Sequence, residues 1–277
     1  MQRITSRHNA IVAAYRAAAR GGTEGLLLDG SHLVGEALSA GIRLRHVMVA
    51  LDAIDSPELT PLLDQLSDDV DVAAASSAVM AAVSPVRSSS RIVALGDRPA
   101  PVRAPFDDPA HLVVVACDVQ DPGNVGAIVR VAEGAGASGV VVAGQSADPF
   151  AWKALRGSMG SALRLPIVAV PTIEAAVAEA RRHGSAVVAT VPRDGVPLFD
   201  SRLDGATTLL VGGEGSGLPA PVVAGADFRL TIPMEAPVES LNAAVATAVL
   251  LYEARRQRAR RRSPGGRAAA ATRSLYA

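Results

Sequence analysis

A single cysteine, Cys117, occurs in a chain of 277 residues. It has no partner for an intrachain disulfide and offers no basis for a cysteine-based metal cluster, so a reducing, cytoplasmic compartment is expected. It closes the apolar run 112–117, where the expected role is a small buried hydrophobe rather than a nucleophile. Aromatic residues make up only 3% of the chain, which leaves Val, Leu, Ile and Ala to fill the interior. No apolar run reaches the roughly 18 residues that a membrane helix needs, and no opening segment has the form of a signal peptide. A soluble protein with no membrane partner is therefore expected. Lysine occurs once, at Lys153, and neither lysine nor arginine occurs between Arg45 and Arg87.

The chain does contain an apolar fraction of 49%. That suffices for a sizeable core in one large or two modest domains, and two are favoured. The formal net charge is zero, yet the charges are segregated. Arg3, Arg7, Arg16 and Arg20 lie near one terminus, while Arg255, Arg256, Arg258, Arg260, Arg261 and Arg262 form a run near the other. The acids Asp52, Asp55, Glu58, Asp64, Asp68, Asp69 and Asp71 crowd the gap without basic residues. Segregation of this kind makes basic faces on a molecule whose total is balanced. The planar guanidinium suits phosphate and stacked bases, so the clusters point to RNA, whereas the overall preference for arginine is what GC-rich codon usage produces.

Hydrophobic periodicity divides the chain into alternating strands and helices. The first third reads as a small α/β unit. A helix carrying Ile11, Val12 and Tyr15 is stopped at Gly21 and Gly22. Strands follow at 26–30, 46–51, 70–73 and 91–95, and helices at 31–40, 61–66 and 76–83. The Pro-rich stretch 97–105 lacks periodicity and reads as a semi-rigid linker. Beyond it come strands at 112–117, 139–143, 165–168, 186–191 and 208–211, with helices at 124–133 and 173–182. The last helix is placed at 241–262. The expected division is a first domain at 1–96, a linker at 97–108, a second domain at 109–262 and a flexible tail at 263–277. The alternation predicts a mainly parallel sheet with helices on both faces.

Three stretches of the second domain place small or polar residues where strands would end, the edge at which open α/β sheets hold ligands. The stretch 118–130 carries Asn124, Gly126 and Arg130; 209–219 carries Gly212, Gly213, Glu214, Gly215 and Gly217; 231–246 carries Ile232, Pro233, Met234, Ser240, Leu241 and Asn242. A Ser ahead of an apolar run is also an ordinary helix cap. Strand, glycine loop, helix and strand also open dinucleotide-binding folds, so a nicotinamide oxidoreductase is weighed, but no Gly-x-Gly-x-x-Gly spans the turn. A P-loop lysine is missing, and Glu214 takes the leading glycine position of a nucleophile elbow.

In this order and spacing, Asn-x-Gly-x-x-x-Arg, Gly-Gly-Glu-Gly-x-Gly and Ile-Pro-Met followed by Ser-Leu-Asn resemble the SpoU family of RNA 2'-O-ribose methyltransferases within the SPOUT superfamily. The resemblance spans about 112–258. It implies an α/β fold whose C-terminal sheet carries a deep trefoil knot, with a smaller N-terminal α/β domain similar to small RNA-binding ribosomal proteins. It also implies S-adenosyl-L-methionine as cofactor and a homodimer. Gly212, Ile232 and Leu241 match positions that grip the adenosine, with Gly213, Met234 and Ala243 nearby, and no metal is implied. Arg130 matches the arginine at the reacting hydroxyl. Because a guanidinium holds its proton, electrostatic work on phosphate and developing alkoxide is assigned to it, and the base is left open. Asn124, Glu214, Ser240 and Asn242 would orient Arg130 and the ribose. Ribosomal RNA is the favoured substrate and tRNA the second; a catalytically silent RNA-binding module is the competing class.

Overall fold

A computed structural model describes residues 1–21, 25–100, 104–215 and 217–262. The tail expected at 263–277, the helix stop at Gly22 and part of the linker, 101–103, lie outside the described residues. The chain forms two units by its internal contacts, Met1–Ala100 with Asp148–Arg164, and Pro101–Ala147 with Leu165–Ala277.

The first unit opens with β1 (Gln2–Ile4), α1 (Ala10–Ala19), β2 (Leu26–Asp29), α2 (Ser31–Ser39) and β3 (Leu44–Ala50). It continues through α3 (Thr60–Leu63), β4 (Asp71–Ala75), α4 (Ser77–Val83) and β5 (Ile92–Gly96). The strands make one mixed sheet ordered β1-β4-β3-β5-β2, in which β3 pairs parallel with β4 and antiparallel with β5. All of β2 is buried, as expected of a strand covered on both faces. Tyr15, on the inner face of α1, is fully buried. Its hydroxyl satisfies the polar cost of that burial by meeting His46 Nδ1 at 2.9 Å and the carbonyls of His46 and Val93 at 3.2 and 3.1 Å. Arg7 and Arg16 each turn their Nε toward a carbonyl of α4, at Ala78 and Ala82. β1 is an addition to the sequence reading, which opened this unit with the helix carrying Ile11, Val12 and Tyr15.

The second unit begins with β6 (Leu112–Cys117), α5 (Pro122–Ala135) and β7 (Gly139–Ala143). Pro122 follows the Asp121 cap, and Gly136 in the left-handed region closes the helix. The chain then contributes 148–164, with α6 (Trp152–Ser158), to the first unit, where α6 packs on β2. The sequence reading assigned this stretch to the second domain. Its anchors are the pairs Arg98–Asp148 and Arg164–Glu36, between residues too far apart in the chain to be matched by pattern. Asp97 and Arg98, read as linker, are likewise tied into the first unit, Asp97 through Arg45 at 3.0 Å.

The second unit resumes with β8 (Ile167–Val170), α7 (Ile173–Arg182), β9 (Ala186–Thr190), β10 (Val196–Pro197) and β11 (Thr207–Gly212), then α8 (Ala220–Gly225), β12 (Phe228–Thr231) and α9 (Ala243–Arg262). Its seven strands are ordered β10-β12-β9-β11-β6-β7-β8, and every pairing is parallel. Val113, Val115 and Cys117 of β6 join Ile173, Ala176, Ala180 and Val222 in one core cluster. α5 and α9 pack together, α5 against β6 and α9 against β11. Full burial of one such Val, Leu or Ile is worth about 1.5–3 kcal/mol, and β6 and β7 are buried along their whole length.

The C-terminal arginine run, read as an RNA-facing cluster, is largely engaged within the chain. Arg255 donates to the Gly134 carbonyl, Arg256 pairs with Glu253, and Arg261 meets Asp204. Arg258 donates to the carbonyls of Ala110, His111, Leu203 and Gly205.

Candidate functional site

From β6 the chain runs outward through β7 to β8, while β11 and β9 lie on the other side of β6. The strand order therefore reverses between β6 and β11, and the crevice beyond the carboxyl ends of such a pair is the usual ligand site of a parallel sheet. Two of the three stretches singled out in the sequence leave from these two strands. The third leaves from β12.

Each turn is shaped by the backbone. Asp118 at the end of β6 adopts φ 55°, and its carboxylate accepts from the Gln145 amide at 2.7 Å. A Cβ on Gly213 would lie 2.1 Å from the Asp118 carbonyl oxygen, and one on Gly212 would lie 2.4 Å from the Gly217 carbonyl carbon. Both positions require glycine because backbone meets backbone there. Cys117, on the strand feeding this edge, is held as a thiol because burial pushes it up to about 12, so it is no nucleophile at neutral pH.

Asn242 connects the turns. It caps α9, its Oδ1 accepting from the amides of Ala244 and Val245 at 2.9 and 3.3 Å. That fixes which end of the amide is which, and its Nδ2 donates to Asn124 Oδ1 at 3.0 Å. The Asn124 Nδ2 is then free to donate, and it does so to Glu214 Oε1. Asn124 itself is placed in the first turn of α5 by its backbone amide, which donates to Asp121 Oδ1 at 2.8 Å. One residue from each stretch thus enters a single chain of hydrogen bonds. The sequence reading began α9 at Leu241; the helix begins at Ala243, and Ser240 and Leu241 belong to the loop before the Asn242 cap.

Beside this network lies a cleft of about 670 Å³, within the ~300–1,000 Å³ typical of small-molecule sites. Gly212, Gly213, Ile232, Met234, Leu241 and Ala243 all line it, as do Glu214, Ser240 and Asn242. Asn124 touches it through its two partners. Arg130 does not line it: it stands exposed on α5. Sequence reasoning missed Thr190, Val191, Pro192 and Arg193, which follow or end β9, and Glu239 beside Ser240. The signal available for the first four was that β9, a parallel strand, ends on the same edge as β6 and β11. Among the described residues, no cluster of His, Cys, Asp or Glu has the makings of a metal site, and no helix is long and apolar enough to cross a membrane.

The fold and the cleft define a parallel α/β protein with a cleft of small-molecule size where its strand order reverses. Residues 111–252 match the family model described as the SpoU rRNA Methylase family, and the chain belongs to that family. An uncharacterized tRNA/rRNA methyltransferase of Synechocystis is 34% identical over 241 residues, 87% of this chain and 87% of its own. The 23S rRNA (guanosine(2553)-2'-O)-methyltransferase RlmP of Bacillus subtilis is 31% identical over 84% of this chain and 89% of its own. The solved structure of the SpoU methyltransferase AviRb from Streptomyces viridochromogenes, in complex with the cofactor AdoMet, matches with a TM-score of 0.82 at 29% identity. It covers 91% of this chain and 99% of that one.

Proposed function

We propose that the protein is a cytoplasmic enzyme that methylates a ribose 2'-hydroxyl in structured RNA, 23S ribosomal RNA in the first place, with S-adenosyl-L-methionine as donor. The observation that carries this reading is the hydrogen-bonded chain Glu214–Asn124–Asn242, which joins the three stretches beside one cleft. The naming of RlmP and the cofactor bound to AviRb support the substrate and donor.

The cleft fits the donor. Val211, Leu218, Ile232, Met234 and Leu250 offer an apolar bed for a purine, and the turn at 212–213 and the loop at 240–243 bring backbone amides and carbonyls to its edge. When bound, S-adenosyl-L-methionine supplies an electrophilic methyl group to an attacking oxygen. The protein supplies alignment, worth roughly 7–11 kcal/mol when two reactants are held in line. We assign the Asn124 network to fixing the turns, Ser240 to the ribose at the rim, and Arg130 to the target phosphate and the alkoxide that develops as the hydroxyl loses its proton.

Arg130 stands outside the cleft of its own chain, which fits a site completed when two copies meet. Val245 and Tyr252 are exposed on α9, two turns apart and so on one face; α9 packs against α5, which carries Arg130. We assign this face to a homodimer. We assign the first unit, with Arg3, Arg7, Arg16 and Arg20 exposed, to RNA. We also assign to the second unit the trefoil knot of the family, which a crystallographic chain trace would test.

The test is Arg130→Ala, assayed with labelled donor on ribosomal RNA and tRNA. Methyl transfer should fall by about 10²–10³ while donor affinity stays within about twofold of wild type, since the residue lies off the cleft. Near-normal turnover would remove Arg130 from the mechanism. A wild-type protein that labels neither RNA favours the silent RNA-binding module.

A further inference from the structure

The cleft carries few charged groups. Its lining includes Glu214, which holds Asn124, and then Arg193 and Glu239. Arg193 Nη2 meets Glu239 Oε1 at 2.7 Å. The two come from separate segments. Arg193 follows β9 in a turn where Asp194 adopts φ 61°, and the Gly195 amide pins that turn to Thr231 Oγ1 at 3.0 Å. Glu239 precedes Ser240 on the loop that leads to the Asn242 cap.

An ordinary surface ion pair is the plain alternative, and as such the contact would add little to the stability of the fold. Its side chains are 68% and 77% exposed, so exchanging one partner for another costs little. Its place on the wall of the cleft is what separates it from other surface pairs. A carboxylate bound in this cleft finds one basic residue in the lining, Arg193, and an ammonium on the same carbon then finds Glu239 beside it.

We infer that Arg193 and Glu239 form the subsite for the amino-acid end of the donor, the guanidinium taking the carboxylate and Glu239 the ammonium. This rests on the reading that the cleft binds S-adenosyl-L-methionine. The pair is prearranged: in the free protein each charge satisfies the other, and the zwitterion inserts by exchanging one close ion pair for two. Arg193 and Glu239 are positioning residues, for they orient the donor's tail and take no part in the bond that forms.

The experiment measures binding by calorimetry for wild type, Arg193→Gln and Glu239→Gln. The ligands are S-adenosylhomocysteine, 5'-methylthioadenosine, which lacks the amino-acid end, and decarboxylated S-adenosylmethionine, which keeps the ammonium alone. Arg193→Gln should weaken S-adenosylhomocysteine by about tenfold, the loss of one charge-assisted contact, and leave the other two ligands unchanged. Glu239→Gln should weaken S-adenosylhomocysteine and the decarboxylated ligand and leave methylthioadenosine unchanged. Wild-type affinity for S-adenosylhomocysteine in both variants overturns the subsite, as does an equal loss of methylthioadenosine, which would mark general damage to the cleft. A wild-type protein that binds none of the three overturns the donor reading itself.

Discussion

His46 and His111 are both held neutral by burial, which pushes each imidazole below the ordinary histidine value of 6.5. Asp71 opposes the shift at His46; at His111 the hydrogen bond to the Asp108 carbonyl opposes it, while His183 and Arg258 reinforce it. His111 also has a buried Nε2 without a hydrogen-bond partner, and its ring edge packs on Phe106. In the unfolded chain both rings take up a proton near 6.5, while in the folded protein they resist it. Their contribution to stability is complete above that value and is lost as pH falls below it. Thermal melts taken from about pH 7.5 to about pH 5.5 should show a falling midpoint, with a shallower fall for His111→Asn. Equal slopes would mean that His111 is not a source of the acid sensitivity. Gly212 and Gly213 show what a sequence reveals at this scale. The residue type was legible and pointed to the right turn. The sequence placed it at a ligand-holding edge, whereas the atoms nearest a Cβ there belong to Gly217 and Asp118, and only folding brings Asp118 to that turn.

Among the elements, α9 departs furthest from its sequence reading. Its arginines looked like a polyanion-binding run because a string of cations has no other evident purpose in one dimension. In three, Arg258 reaches the loops that precede β6 and β11 and donates to the carbonyls of Ala110, His111, Leu203 and Gly205. Gln257 adds two contacts there, its Oε1 accepting from the Leu203 amide and its Nε2 donating to the Ser201 carbonyl. Arg258→Ala should therefore destabilise the protein by about 1.5–3 kcal/mol in urea denaturation, the scale of a charged hydrogen-bonding group removed from part-buried acceptors. RNA affinity measured on the folded variant should change little. A variant of wild-type stability with weakened RNA binding would restore the electrostatic reading. The strands were far more legible: runs such as Leu112–Cys117 and Gly139–Ala143 are β-branched, short and buried on both faces, and a parallel sheet asks for little else.

For the molecule as a whole, the homodimer is the claim with the broadest reach. Val245 and Tyr252 are 51% and 54% exposed, and an apolar face of this kind on a long helix is ordinarily covered. Sedimentation should give a dimer mass, and Tyr252→Glu, which buries a charge in any such interface, should shift it to the monomer without unfolding either unit. A wild-type mass of one chain at all concentrations would end the proposal. At this scale the sequence was least informative. It placed three stretches on one sheet edge through the shared polarity of parallel strands, yet the bonds from Asn124 to Glu214 and Asn242 depend on a strand order that periodicity does not encode.

The excursion of residues 148–164 into the first unit has a practical consequence. The polypeptide passes between the units three times, after Ala100, after Ala147 and after Arg164, so no single cut yields two intact halves. A fragment beginning at Pro101 would carry α6 without β2 to rest on, and one ending at Ala100 would leave Glu36 and Arg98 without their partners Arg164 and Asp148. Anyone wishing to express either half alone must splice the excursion out of one and graft it onto the other.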